Sequence, residues 1–418
     1  MGIGLARCLG VQSVDQETFN SLLSRRGGLQ HPWSSVAPAP EGTISFGAGV
    51  PDPETLPLEQ LDEAARAVIA EEGIASLQYG SSMGDIALRE QIAERVTRLH
   101  GVETPPEHVV ITTGASQALD IVCATFIDPG DVVITENPAF TGSLWTFRAH
   151  GARLMPVSSG ANGLDIDELE QTLAELRAAG DRPKLIYLTP DYQNPTGVQM
   201  PTMLRRRLVE LAANAGCLVV EDAAYAEVGI DGIDTPSLLS LAPEQTVQVG
   251  TFSKVIGPGL RIGWLTGSPP AVEHAAANRT DMGTSVTLSR MLARFLANDE
   301  LDSHINRVRE VYRRKRVAFS LAARENLGPL ARWTNPAGGF FFWLEAAEGV
   351  DVSRLWELAR EERVSFAPGH RFFVEDEPPM RYMRFAFSEA SIDNINEGLR
   401  RLGRAVERLQ DESQRRLF

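Results

Sequence analysis

The stretch VQVGTFSKVIGPGLRIGW, residues 247–264, begins as a short run of β-formers and passes through a Gly-Pro-Gly turn to Arg261. Between run and turn lie the hydroxyls of Thr251 and Ser253, and then Lys254. In an open α/β sheet, ligands sit beyond the carboxyl ends of the strands. A lysine in that position, set among hydroxyls, is where an amine can reach a carbonyl carbon and form an imine. Lysine is also scarce: Lys184, Lys254 and Lys315 stand against thirty-seven arginines. A chain that nearly always uses Arg for positive charge keeps Lys where an amine is wanted. By residue type alone, a solvated loop lysine would be the plainer reading.

Working outward, the same pattern of strand followed by polar residues recurs. HVVITT (108–113) runs into Gly114-Ala115-Ser116-Gln117, KLIYLT (184–189) leads to Asn194-Pro195-Thr196-Gly197, and CLVVE (217–221) runs into Asp222. DVVITE (131–136) and ARLMPV (152–157) are further strand candidates. Helical candidates separate them, such as 116–126, ended by Asp128-Pro129-Gly130, and 204–216, ended by Gly216. From Gly42 to Thr266 this alternation predicts a mostly parallel sheet covered by helices. After Thr287 the texture changes to an Arg-rich helical stretch, a Gly-rich strand GGFFFWL (338–344) and a final helix near 392–409. A chain of 418 residues is too long for one ordinary core. The expected division is an N-terminal arm, 1–45, packing on the small domain, a large domain, 46–288, and a small α+β domain, 289–418.

Composition narrows the classes of function. Hydrophobic residues make up 43% and charged residues 23%, so the chain should fold throughout. The net charge of −15 repels polyanions, which argues against nucleic-acid or membrane partners and requires local cations for any anionic ligand. Cys8, Cys123 and Cys217 form no CxxC pair, and the histidines form no HExxH, so neither a disulfide framework nor a metal site is expected. The N-terminus lacks a cleavage pattern, and no stretch approaches the roughly 18 apolar residues of a membrane helix. A cytoplasmic location is the expectation.

TFSKVIGPGLRIGW resembles the cofactor-lysine segment of the class I/II aminotransferases of fold type I, particularly the branch of 2-aminoadipate and kynurenine aminotransferases. SFGAGVPDP, LQYG, TTGASQALD, ENPAF, YQNPTG, EDAAY, PAGGFFFW and MRFAFS agree in order and spacing from Gly42 to Arg404. The resemblance implies a pyridoxal 5′-phosphate enzyme with a large, mostly parallel seven-stranded sheet and a smaller α+β domain. It also implies a Schiff base at Lys254, with transfer of an amino group between an L-amino acid and a 2-oxo acid.

Each implied role has a physical reason. Ala115, Ser116 and Gln117 open a helix whose N–H groups and dipole favour the cofactor phosphate, joined by Thr251, Ser253 and Arg261. Asp222 would hold the proton of the pyridine nitrogen, keeping the ring electron-poor. Asn194 and Tyr225 resemble the pair that hydrogen-bonds the cofactor's 3′-oxygen. Phe140 takes the place of the aromatic that stacks on the ring. Tyr79 resembles the tyrosine that reaches the phosphate of a neighbouring subunit, which implies a homodimer. Arg384 matches the arginine that grips the substrate α-carboxylate, with Gly49 lining the same pocket; Val50, Phe341 and the arm would shape specificity.

Other readings remain open at this point. Decarboxylation, oxidative deamination or β-elimination use the same cofactor motifs, because pocket geometry selects the bond that breaks. Gly114-Ala115-Ser116-Gln117-Ala118 also resembles a nucleophile elbow, with Asp222 and His370 as partners of Ser116 in a hydrolase. A regulator that uses this fold to sense an effector is disfavoured by the roughly forty residues before SFGAGVP, too few for a DNA-binding module.

Overall fold

Residues 15–29, 40–298 and 300–415 are described in a computed structural model. Their strands are β1 (Ile44–Phe46), β2 (Val109–Thr112), β3 (Val132–Asn137), β4 (Arg153–Gly160), β5 (Gly163–Leu164), β6 (Pro183–Leu188) and β7 (Leu218–Asp222). There follow β8 (Thr246–Thr251), β9 (Gly263–Gly267), β10 (Ala331–Trp333), β11 (Phe341–Ala346), β12 (Val364–Pro368) and β13 (Tyr382–Ala386).

The larger sheet has the order β2-β9-β8-β7-β6-β3-β4-β5. The pairs from β4 through β3, β6 and β7 to β8 are parallel, whereas β9 lies antiparallel between β2 and β8. Seven strands carry the sheet, and the two-residue β5 adds a short eighth at the edge. Strands buried on both faces must alternate their apolar side chains between two cores, and these do. Val133, Leu185 and Val220 face the helix at Ala115–Phe126, while Ile134, Ile186 and Val219 face those at Ile166–Ala178 and Thr202–Ala215. Gly216 ends the last of these helices in a left-handed conformation (φ +64°), as expected for a C-cap glycine.

The smaller sheet has the order β1-β12-β13-β11-β10. It packs with the helices Leu301–Leu327 and Ile392–Arg415 around Phe46, Phe319, Phe342, Phe385 and Leu399.

Strands β1 and β9 lie outside the strand candidates named from sequence. β1, at the end of the expected arm, pairs parallel with β12 of the small sheet, where Phe46 is buried against Phe319 and Phe385. β9 was not expected as a strand at all. Its insertion depends on Gly263, where a Cβ would lie 2.6 Å from the Gly250 carbonyl and 2.8 Å from the Ala115 nitrogen. Of the arm, residues 1–14 and 30–39 lie outside the described residues. Arg26 donates to Asp120 at 3.2 Å on the large-sheet helix Ala115–Phe126, while residues 44–46 join the small sheet.

Candidate active site

The carboxyl ends of the large-sheet strands open onto a cavity of ≈ 280 Å³, closed on its far side by Phe341 and Arg384 of the smaller sheet and by Gly49 and Val50. Ala115, Ser116, Phe140, Asn194, Asp222, Tyr225, Thr251, Ser253, Lys254 and Arg261 all line it. Fourteen residues singled out from sequence, Gly49, Val50, Phe341 and Arg384 included, are thus brought together from both sheets. Two are not. Tyr79 is 88% exposed on the surface. Gln117 turns its side chain to Asp281 and to the Thr113 N–H, and its own N–H donates to the Gly114 carbonyl at 3.1 Å.

Lys254 follows β8 and donates to the Gly49 carbonyl at 3.0 Å, with the rings of Tyr225 and Phe340 at 5.4 and 5.8 Å. Burial, and then the charges of Arg384 and Arg261, push its amine down to about 8 against the pull of Asp222. Asp222 ends β7, and its two oxygens accept from the Tyr187 hydroxyl at 2.7 Å and the Ala224 N–H at 3.0 Å. Burial raises its carboxyl pKa, and those two hydrogen bonds restrain the rise. Desolvation likewise drives the Tyr225 phenol upward.

Arg384 projects from β13 and is 2% exposed. Its Nη1 donates to Asn194 Oδ1 at 2.8 Å and its Nη2 to the Gly47 carbonyl, while Nε has no partner. The rings of Phe341 and Phe372 lie 4.3 and 4.7 Å from the guanidinium carbon. Among the described residues no carboxylate pairs with it, and burial lowers its pKa to about 10. A buried cation left this incomplete favours the arrival of an anion.

At the other end of the cavity, Gly114 takes φ +80° ahead of the helix whose first N–H groups belong to Ala115 and Ser116. A Cβ on Gly114 would meet Arg261 Nη2 at 2.6 Å, so glycine is what lets the guanidinium lie against this turn. Among the described residues, Arg261 donates to the carbonyls of Pro258 and Thr113, both at 3.3 Å. The Thr251 and Ser253 hydroxyls share a 2.8 Å hydrogen bond beside it.

Among the described residues, three cations therefore line the cavity against the one carboxylate of Asp222, a local reversal of the chain's negative charge. The cradle of N–H groups, hydroxyls and Arg261 suits a phosphate, the amine of Lys254 suits an aldehyde, and Asp222 suits a protonated ring nitrogen. These residues fit pyridoxal 5′-phosphate. The hydrolase alternative finds no support, because Asp222 bonds Tyr187 and Ala224, and no hydrogen bond links Ser116, Asp222 and His370 among the described residues. Among those residues no group of three metal-ligating side chains occurs, and no helix is long and apolar enough to cross a membrane.

Sequence reading missed Tyr187 and Phe372. Tyr187 reads as an interior strand residue, and its only signal is its place one residue before the carboxyl end of β6. Phe372 lies in a 3-10 turn with no chemical signal of its own.

Residues 41–402 match the family model described as aminotransferase class I and II. The chain is 37% identical over 374 residues to the 2-aminoadipate transaminase of Thermus thermophilus, covering 88% of this chain and 91% of that protein. A crystal structure of the alpha-aminoadipate aminotransferase of Thermus thermophilus, complexed with N-(5′-phosphopyridoxyl)-L-leucine, superposes with a TM-score of 0.86 at 35% identity, over 94% of this chain and 99% of that one. The kynurenine aminotransferase of Pyrococcus horikoshii superposes with a TM-score of 0.83 at 29% identity, over 96% of each chain.

Proposed function

The chain belongs to the class I and II aminotransferases and moves amino groups with pyridoxal 5′-phosphate, and on that premise we propose how its residues divide the work. Lys254 would hold the cofactor through its amine, and that amine would take and return the proton at the substrate Cα. Burial holds that amine below the usual lysine range, which favours its neutral form. The bound cofactor supplies an electron-poor ring that accepts the pair released at Cα.

Asp222 keeps the ring nitrogen protonated, oriented by Tyr187 and the Ala224 N–H. Asn194 and Tyr225 address the 3′-oxygen, and Phe140 covers one ring face. Ala115 and Ser116 through their N–H groups, with Thr251, Ser253 and Arg261, hold the phosphate. Gln117 supports this cradle through its bond to the Thr113 N–H rather than from inside it. Arg384 takes the substrate α-carboxylate, which completes the cation that Asn194 and Gly47 leave unfinished.

The exposed Tyr79 serves the phosphate of a second protomer, so the active unit is a homodimer. Residues 46–288 form the cofactor-holding part and 289–418 the smaller part, with 1–45 as the arm. The protein works in the cytoplasm, in keeping with its free buried Cys123 and Cys217.

The observation that carries this reading is a buried arginine, Arg384, with no carboxylate partner among the described residues, lining the same cavity as the amine of Lys254. A panel of amino acids, including L-2-aminoadipate, L-kynurenine and L-leucine, with mass spectrometry of both products, tests it. A 2-oxo acid without release of carbon dioxide is the expected product. An aldehyde or an eliminated side chain would redirect the reading.

A further inference from the structure

Lys315 is the one lysine that is buried yet plays no part in the pocket lining. It lies in the helix Leu301–Leu327 with its side chain 5% exposed, and its ammonium meets Asp52 Oδ2 at 2.5 Å. It also donates to the carbonyls of Ser388 at 2.7 Å and Glu389 at 3.3 Å, so an ion pair and two hydrogen bonds hold the ammonium. Asp52 accepts the Glu54 N–H at 3.0 Å, and its own N–H donates to the Tyr312 hydroxyl at 3.1 Å. The Ser388 hydroxyl donates to the Val50 carbonyl at 2.6 Å.

A buried ion pair is a poor device for stability as such, because desolvation offsets the attraction. Its use lies in geometry. This pair anchors one end of the strap Gly47–Val50, whose other end leaves β1. The strap meets two of the pocket's three cations with backbone alone: the Gly47 carbonyl accepts from Arg384 and the Gly49 carbonyl from Lys254. Gly49 has no room for a side chain, since a Cβ there would lie 2.4 Å from Phe341 Cζ. Nothing on the strap's own side chains between Gly47 and Gly49 can hold it in place.

We propose that the buried Lys315–Asp52 pair, with Ser388, is the positioning device of the amino-acid site, holding the strap so that its carbonyls aim Arg384 and Lys254 at the substrate. The inference rests on reading the cavity as that site.

Lys315→Met, Asp52→Leu and the double variant test it in the holoenzyme. Each single variant leaves a charge buried without its partner and lowers Tm; the double variant, apolar on both sides, regains most of that loss. The half-reaction with L-leucine, L-2-aminoadipate and L-kynurenine is followed by loss of cofactor absorbance near roughly 400–430 nm. In the double variant the apparent Kd for the donor should rise about tenfold while the limiting rate stays within about threefold, the pattern of lost positioning rather than lost chemistry. Hydrogen exchange over residues 44–56 should quicken, with the rest of the chain unchanged. Wild-type Tm together with wild-type donor Kd in the double variant would overturn the proposal.

If the wild type reacts with none of the three donors, the reading of the site fails for those substrates. Exchange then decides for the strap alone, and unchanged protection over 47–52 overturns it. If the double variant does not fold, Ser388→Ala, which removes only the bond to Val50, carries the same expectations and the same overturning result.

Discussion

Arg205 and Arg384 are both buried, 0% and 2% exposed, yet they are finished differently. Arg205, at the start of the helix Thr202–Ala215, directs five hydrogen bonds to the Asp191 carboxylate and to the carbonyls of Met200, Pro190 and Pro236. That matches the full set of donors a guanidinium carries. Arg384 makes two bonds, meets no carboxylate among the described residues and keeps an orphaned Nε. The lysines repeat the contrast: Lys315 is complete, while Lys254 gives one bond to a carbonyl. Buried charge closed by its own protein is framework, whereas buried charge left open waits for a ligand. An unfinished cation costs stability, and that cost is what a substrate anion or a cofactor relieves on binding.

The contrast breaks most severely at Lys254. Lys254→Ala should lower turnover by about 10⁴-fold or more and abolish the absorbance near roughly 400–430 nm. The apoenzyme's Tm at pH 7 should not fall. An amine that titrates at 10.5 when unfolded and about 8 when folded costs stability in full below about 8, and that cost disappears as pH rises toward 10.5. A variant with substantial turnover would end the assignment.

Arg205→Met should behave in the opposite way, losing about 3–5 kcal/mol of unfolding free energy by leaving Asp191 unpaired. Its kcat per folded molecule should match the wild type, as denaturant titration and active-site counting can show. Arg384→Leu should weaken substrate binding about 10²-fold, in line with the roughly 1.5–3 kcal/mol of a hydrogen bond to a charged group. Cofactor affinity should hold and Tm should not drop; a lower Tm would move Arg384 to the framework side of the comparison.

Because the free amine must be neutral to attack, the rate at which apoenzyme takes up the cofactor should climb about tenfold per pH unit below about 8 and level above it. A flat profile would show that Lys254 is not the titrating group. Tyr187→Phe removes one hydrogen bond worth about 1 kcal/mol, so kcat should fall about fivefold. Since Tyr187 restrains the rise in the Asp222 pKa, the acidic limb of the activity profile should move to higher pH in this variant.

Much of the site was legible because its chemistry lies at strand ends. Six of the strand runs recovered from hydrophobic patterning are β2, β3, β4, β6, β7 and β8, and the polar residues that follow them supply most of the cavity. Tyr187 escaped because a buried tyrosine in a strand looks like core until its hydroxyl is seen to meet Asp222. Phe372 escaped because stacking on a guanidinium leaves no pattern in sequence. The pairing of β1 escaped notice because three residues, Ile44–Phe46, carry no label for the partner they will pair with.

From residue order alone came the class of fold, the family and the reactive amine, since local periodicity, turn chemistry and a scarce residue type are written along the chain. Tertiary structure alone decided which charges are closed and which stay open. The difference between Arg205 and Arg384, or Lys315 and Lys254, lies in acceptors contributed from distant parts of the chain. Asp52 meets Lys315 across more than two hundred and fifty positions of sequence, and Gly49 meets Lys254 across two hundred and five. Only folding can count those acceptors, because hydrogen bonds depend on distance and direction in space rather than on neighbourhood along the chain.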